Sequence, residues 1–284
     1  MEWIYTLILV ISVMIYMGFR NLRPIVQGIA ILFTIIIALT VAIYFNHEKL
    51  VIAITNSATE DAPVIETKEQ DAHYYEMIKI QQQVLINAPI VSQFPELVRG
   101  CEVTSLLMLL QFHGYEADKL ILAEQLAKDP TPYKVVDGQI FFGHPNTGFV
   151  GDMYSFNNPG LGVYHKPIKE LAERYAPGKV IDFTGSDFTA VQMYLSQGLP
   201  VWVIINTTYK ALPSSAFETW QTPNGSVRIT YKEHSVLLTG YDENFVYFND
   251  PLTGEKNKKA PMIEFIQSWT QMGSQAITIN PNEL

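Results

Sequence analysis

The chain has 284 residues, 48% of them hydrophobic and only 17% charged. That length holds one or two domains with a full core, and the balance is too apolar for an ordinary soluble protein of this size. The formal net charge is −9 and Cys101 is the only cysteine, which excludes an intramolecular disulfide framework and a zinc centre built on paired cysteines.

The apolar excess lies at the N-terminus. Trp3 to Phe19 and Ile25 to Phe45 are uncharged runs of 17 and 21 residues, beside the ~20 that a helix needs to cross ~30 Å of hydrocarbon. They are predicted to be two transmembrane helices. Arg20 and Arg23, the only basic residues of the first 45, place the intervening loop in the cytoplasm and both chain ends outside. A cleaved signal peptide is the rival for the first run, but no basic residue precedes it and no small-x-small site closes it.

Beyond this hairpin anchor (1–45), residues 46–83 are expected to be a polar linker, acidic and aperiodic over 55–73, with a helix beginning near 74–83. Residues 84–284 then form the globular domain. Without Glu2, Arg20 and Arg23, the exported part carries 17 basic and 27 acidic residues, a balance of −10. A surplus of carboxylates argues against nucleic acid as a partner.

Within the domain, Val84 to Val91 suggests a short strand broken by Pro89. Val103, Leu106, Leu107 and Leu110 repeat at helical spacing, with Gly114 as the stop. Helices are predicted over 117–128, 166–175 and 188–196, and strands over 201–206, 227–231 and 276–279. Residues 141–167 are rich in Gly, Pro and Asn and are expected to be an ordered loop excursion, and a lid over the cleft is one role for residues 129–165. The plan is α+β, a helix-rich half packed on an antiparallel sheet with the cleft between them.

Cys101 opens the first of these helices, where unpaired backbone N–H groups and the helix dipole favour a thiolate. Gly100 would let another backbone approach. The same dipole accounts for Glu102. An odd exported thiol is paired between chains, reactive, or buried and inert, and burial is the common state of free cysteine.

A nucleophile needs a base. His47 and His73 precede the domain, His113 lies ~18 Å along the cysteine's own helix, and His144 and His165 sit in the loop excursion. His234 begins EHSVLLTGYDENFVYFNDP, two apolar strand-like runs around a turn. With a turn centred near Asp242, His234 faces Asp250 directly, at a Cβ separation of about 4.5–5.5 Å. A slip of one residue would spoil the facing. A rim histidine beside a turn aspartate remains the plainer reading.

Gln93-Phe94-Pro95 followed by Gly100-Cys101-Glu102, then Glu233-His234-Ser235-Val236-Leu237-Leu238-Thr239-Gly240-Tyr241, then Phe248-Asn249-Asp250-Pro251, resemble the bacterial peptidase-like domains related to bacteriocin-processing, double-glycine leader peptidases of the papain-like superfamily. The likeness covers about residues 84–280. It implies a papain-like fold with Cys101 as nucleophile, His234 as general base and acid, Asp250 as the group orienting the imidazole, and Gln93 as an oxyanion donor beside the Cys101 N–H. The exporter-linked specificity does not carry over, since the chain has no Gly-x-x-x-x-Gly-Lys loop.

The expected chemistry is hydrolysis of an amide through a thioester, with a peptide or cell-wall peptide as substrate and the membrane as anchor. No metal or organic cofactor is implied, because the sequence lacks His-Glu-x-x-His and a dinucleotide fingerprint. A papain-like amidase or transpeptidase and a catalytically silent peptide-binding module are the alternatives.

Overall fold

The computed structural model describes residues 79–282. The expected membrane hairpin and the linker up to residue 78 lie outside the described residues. Residues 79–83 are not helical, and no described helix is long and apolar enough to cross a membrane.

Helix α1 (Cys101–Phe112) is buried without a break from Cys101 to Leu110. The one-sided stripe read from the sequence is therefore too narrow, because Met108 and Leu109 make the helix apolar all round, and such a helix belongs in a core. It stops at Gly114, whose φ of 78° is open to glycine at little cost.

The strands run in chain order as β1 (Val84–Leu85), β2 (Lys128–Asp129), β3 (Lys134–Val136), β4 (Gln139–Phe141), β5 (Phe149–Val150), β6 (Val180–Asp182), β7 (Val201–Asn206), β8 (Glu218–Thr222), β9 (Gly225–Ile229), β10 (Glu233–Tyr241), β11 (Phe245–Asp250), β12 (Glu255–Pro261) and β13 (Ala276–Ile279). The main sheet has the order β12-β11-β10-β7-β13-β6 and is antiparallel, with β1 added against β10.

On one face, α1 packs with α2 (Lys119–Gln125) and α3 (His165–Tyr175), its Val103 and Leu106 clustering with Trp202, Ile204 and Leu237 of the sheet. On the other, Val191 of α4 (Phe188–Ser196) and Trp269 of α5 (Met262–Gln271) cover Val203, Val236 and Phe248. Helices thus flank both faces of the sheet, where the sequence suggested a helical half on one side. The cause lies in β7, whose six residues are all buried: a strand without polar alternation must be covered twice.

Residues 129–165 are not a plain loop. β3 and β4 join β8 and β9 in a four-stranded sheet, and β2 pairs with β5. Phe142, Val150, Leu161, Trp220 and Ile229 give this part its own small core. Trp220 donates its Nε1–H to the Gly143 carbonyl at 3.1 Å, binding together segments far apart in the chain.

Candidate active site

The β10–β11 hairpin determines where His234 points. At its tip Tyr241 pairs with Val246, so paired numbers sum to 487, and in that register an even-numbered histidine and an even-numbered aspartate would face opposite sides of the sheet. A bulge between Leu238 and Gly240 shifts the register, so that Leu238 pairs with Phe248. Side chains 234, 236, 238, 248 and 250 then share a face. Direct opposition of His234 and Asp250 is corrected to a diagonal relation, which long side chains can bridge.

Gly240 sits at this bulge because β1 crosses it closely: a Cβ there would lie 2.0 Å from the Val84 carbonyl oxygen.

Nε2 of His234 lies 2.9 Å from Oδ1 of Asp250, with both residues buried. Asp250 also accepts from Tyr209 Oη at 2.7 Å, Lys258 Nζ at 3.0 Å and the Leu252 N–H at 2.9 Å. Burial alone would raise its pKa. The hydrogen bond and charge of His234, then Tyr209 and Lys258, more than reverse this and hold the carboxyl far below the ordinary range. With Nε2 fixed on the carboxylate, Nδ1 is the ring nitrogen left to exchange a proton.

Sequence reasoning missed Tyr209 and Lys258. Lys258 stands opposite Phe248 on the polar strand β12, a segment without apolar alternation to announce a strand.

Neighbouring residues of the Asn249-Asp250-Pro251 motif anchor the other half of the site. Asn249 Nδ2 donates to the Ala88 and Pro89 carbonyls at 3.2 and 2.7 Å, and the Pro251 carbonyl accepts the Gln93 N–H at 2.9 Å. Gln93 is thereby held beside the cysteine helix. Its Nε2 donates to the Leu97 and Val98 carbonyls at 3.2 and 3.1 Å, while its buried Oε1 has no partner among the described residues. At rest both amide protons are thus engaged.

Cys101 sits at the start of α1 and is 8% exposed. Its thiol donates to Glu102 Oε2 at 3.2 Å. Burial, followed by the charges of Glu102 and Glu233, pushes the thiol well above its ordinary pKa, against the smaller help of the Ser235 backbone. The helix terminus was expected to lower that pKa, but burial, with the two neighbouring acids after it, outweighs that effect.

Glu102 likewise exceeds the helix-dipole explanation. It is fully buried, accepts the Val163 N–H at 2.6 Å, and burial raises its pKa to about 7 against the pull of the Glu102 and Val163 N–H groups and the thiol. The space beside Gly100 is filled by Leu97, whose Cβ would be 2.4 Å from an added Cβ, so this glycine serves local packing rather than an incoming backbone.

Gln93, Cys101, Glu233 and His234 line one cleft of about 630 Å³, while Asp250 stands behind the imidazole outside its wall. Tyr133, Phe156 and Tyr231 supply an exposed aromatic rim. Arg99, two residues before the cysteine, straps residues 152–158 by donating to the Asp152, Ser155 and Asn158 carbonyls and lying 4.7 Å from the Phe156 ring centroid. The excursion thus forms part of the cleft wall.

The remaining described histidines serve local structure. His165 pairs with Asp182 at 2.6 Å, and His144 Nδ1 accepts the Asn146 N–H. His113 caps the far end of α1.

Among the described residues, Cys101, Glu102 and Glu233 are the one group of three thiol, imidazole or carboxyl donors gathered within 4.8 Å. Burial raises the pKa of both carboxyls and of the thiol.

The sequence model of the Peptidase_C39 like family matches residues 85–277, which contain all four candidate residues. The chain belongs to the Peptidase_C39 like family. It is 51% identical over 185 residues to the uncharacterized protein YvpB of Bacillus subtilis strain 168, covering 65% of this chain and 70% of that protein. A crystal structure from Bacillus anthracis, assigned as a C39-like peptidase, superposes with a TM-score of 0.67 at 44% identity, covering 72% of this chain and all of the other. The C39-like, papain-like relationship read from the three motifs is thereby established.

Proposed function

We propose that this C39-like family member is a membrane-tethered, extracytoplasmic cysteine peptidase that hydrolyses a peptide or amide bond through a thioester intermediate. The observation that carries the reading is the bulge-dependent His234–Asp250 pair, whose imidazole lines the cleft that Cys101 enters from a helix N-terminus. Cys101 attacks the amide carbonyl after its proton passes to Nδ1 of His234. The imidazolium, held by Asp250, then protonates the leaving amine, and water hydrolyses the thioester with His234 as base.

The Cys101 N–H, which has no intrahelical acceptor, supports the tetrahedral oxyanion. Gln93 adds a second donor when its amide gives up one of its two carbonyl acceptors. The aromatic rim suits apolar side chains of an extended peptide, including a cell-wall peptide. The anchor is assigned to the two apolar runs of residues 3–19 and 25–45.

Incubating the full-length protein with a mixed peptide library and reading products by mass spectrometry tests the activity. New termini that vanish in Cys101→Ala are expected. Cleavage that survives Cys101→Ala would refute the assignment. Products joined to an added amine, in place of hydrolysis, would make the protein a transpeptidase. An intact library retained on the protein would make it a binding module.

A further inference from the structure

The proposed reaction gives no role to two buried acids beside its nucleophile. Glu102 Oε1 accepts the Val163 N–H, and Oε2 accepts the Cys101 thiol at 3.2 Å. Glu233 lies within 4.8 Å of both, and its buried Oε1 has no partner among the described residues. The two carboxyls meet over Gly162: a Cβ there would be 2.3 Å from Glu102 Oε1 and 2.7 Å from Glu233 Oε2. Only a residue without a side chain lets them converge.

The other titratable groups beside the cluster are Tyr164, from the segment before α3, and His234 on β10. Among the described ion pairs, no lysine or arginine reaches either carboxyl. Two uncompensated buried carboxylates this close do not both ionise. Burial raises both, and the charge of Glu102 raises Glu233 further. Near neutrality the pair therefore holds at most one charge, on Glu102, next to the sulfur.

We propose that Glu102 is a positioning residue for Cys101: its carboxylate, backed by a protonated Glu233, holds the thiol hydrogen and keeps the nucleophile neutral at rest. The proposal rests on Cys101 being the nucleophile. Activation breaks the S–H···Oε2 hydrogen bond and moves that proton to Nδ1 of His234, leaving a thiolate and an imidazolium with no proton gained or lost by the site. Loss of the Glu102 charge favours this step, because it removes the anion nearest the developing thiolate. The chain thus carries a nucleophile held off by its own neighbour in sequence.

The test is the rate of iodoacetamide alkylation of Cys101 against pH in the full-length protein. It needs no substrate, so a failure to cleave peptides leaves it readable. Glu102→Gln, which keeps an acceptor for Val163, should react at least about tenfold faster at neutral pH, with its midpoint at least about one pH unit lower. Glu102→Asp, which keeps the charge, should stay nearer to wild type than to Glu102→Gln.

An equal rate in Glu102→Gln would reduce Glu102 to a packing role. A slower one would make it the proton acceptor, and an Asp variant matching Gln would attribute the effect to packing. Each result would overturn the proposal. If Glu102→Gln does not fold, infrared spectra of the wild type decide: a protonated buried carboxyl band must be present at neutral pH and change on alkylation of Cys101, and its absence would overturn the proposal.

Discussion

Replacing Asp250 by Asn removes one charge from a fully buried carboxylate while nearly preserving its shape. The structure gives Asp250 four donors: His234 Nε2, Tyr209 Oη, Lys258 Nζ and the Leu252 N–H. The Asn amide offers one oxygen in place of two, and its NH2 must face a cation or hydroxyl donor. Breaking a buried charge pair from one side costs about 3–5 kcal/mol. At ~2–4 °C per kcal/mol for a domain of this size, the melting temperature should fall by roughly 6–20 °C at pH 7.

The pH dependence has a definite sign. The folded pKa of Asp250 is depressed, so its stabilisation is present above the unfolded value of ~3.9 and is lost as pH falls towards the folded one. Wild type should therefore lose up to ~1.4 kcal/mol per pH unit from this group below ~3.9, and the Asn variant should not. Urea denaturation of both proteins at pH 7 and pH 3 measures the difference. A penalty under ~1 kcal/mol at pH 7, or one that grows in acid, would refute the description of Asp250 as a buried carboxylate held by four donors.

Gly240→Ala forces a Cβ against the Val84 carbonyl, so it should destabilise the domain by about 1–3 kcal/mol and speed hydrogen exchange across β1 and the bulge. Arg99→Ala releases the strap on residues 152–158; proteolysis within that segment should accelerate, with little change in global melting. Leu106→Ala, in the buried heart of α1, should cost about 2–5 kcal/mol in chemical denaturation. The assigned anchor predicts that the full chain sediments with membranes, that removing residues 1–45 releases it, and that external protease clips the 46–83 linker in intact cells.

Legibility differed from element to element for physical reasons. The strands at 201–206 and 276–279 and the helix at 188–196 have the expected bounds, since each carries a dense apolar signal between clear breakers. Helix α2 spans Lys119–Gln125 inside the expected 117–128, with Asp118 as its cap. The strand expected over 227–231 is β9, two residues earlier at Gly225–Ile229, whereas β12, β3, β4 and β8 were silent, because their residues are polar or depend on partners distant in the chain. The three motifs identified the family and gathered Gln93, Cys101 and His234 around one cleft, with Asp250 behind.

Neither the 487-to-486 register change nor the convergence of Glu102 and Glu233 was legible. The first depends on a bulge that β1 stabilises from outside the hairpin. The second depends on Gly162, some 60 residues from one acid and 70 from the other. Local pattern had explained Glu102 by its own helix, whereas tertiary burial decides its charge.

That Cys101 is a nucleophile served by His234 is tested most directly by acylation with 4-nitrophenyl acetate, followed by nitrophenolate release and by the intact mass of the full-length protein. A stoichiometric, hydroxylamine-sensitive acetyl group on Cys101 is expected, absent in Cys101→Ala and formed at least about 10²-fold more slowly in His234→Ala. If no acetyl group forms on Cys101, or if His234→Ala is acylated as fast as wild type, the cysteine is a packed thiol and the cleft binds peptides without cutting them.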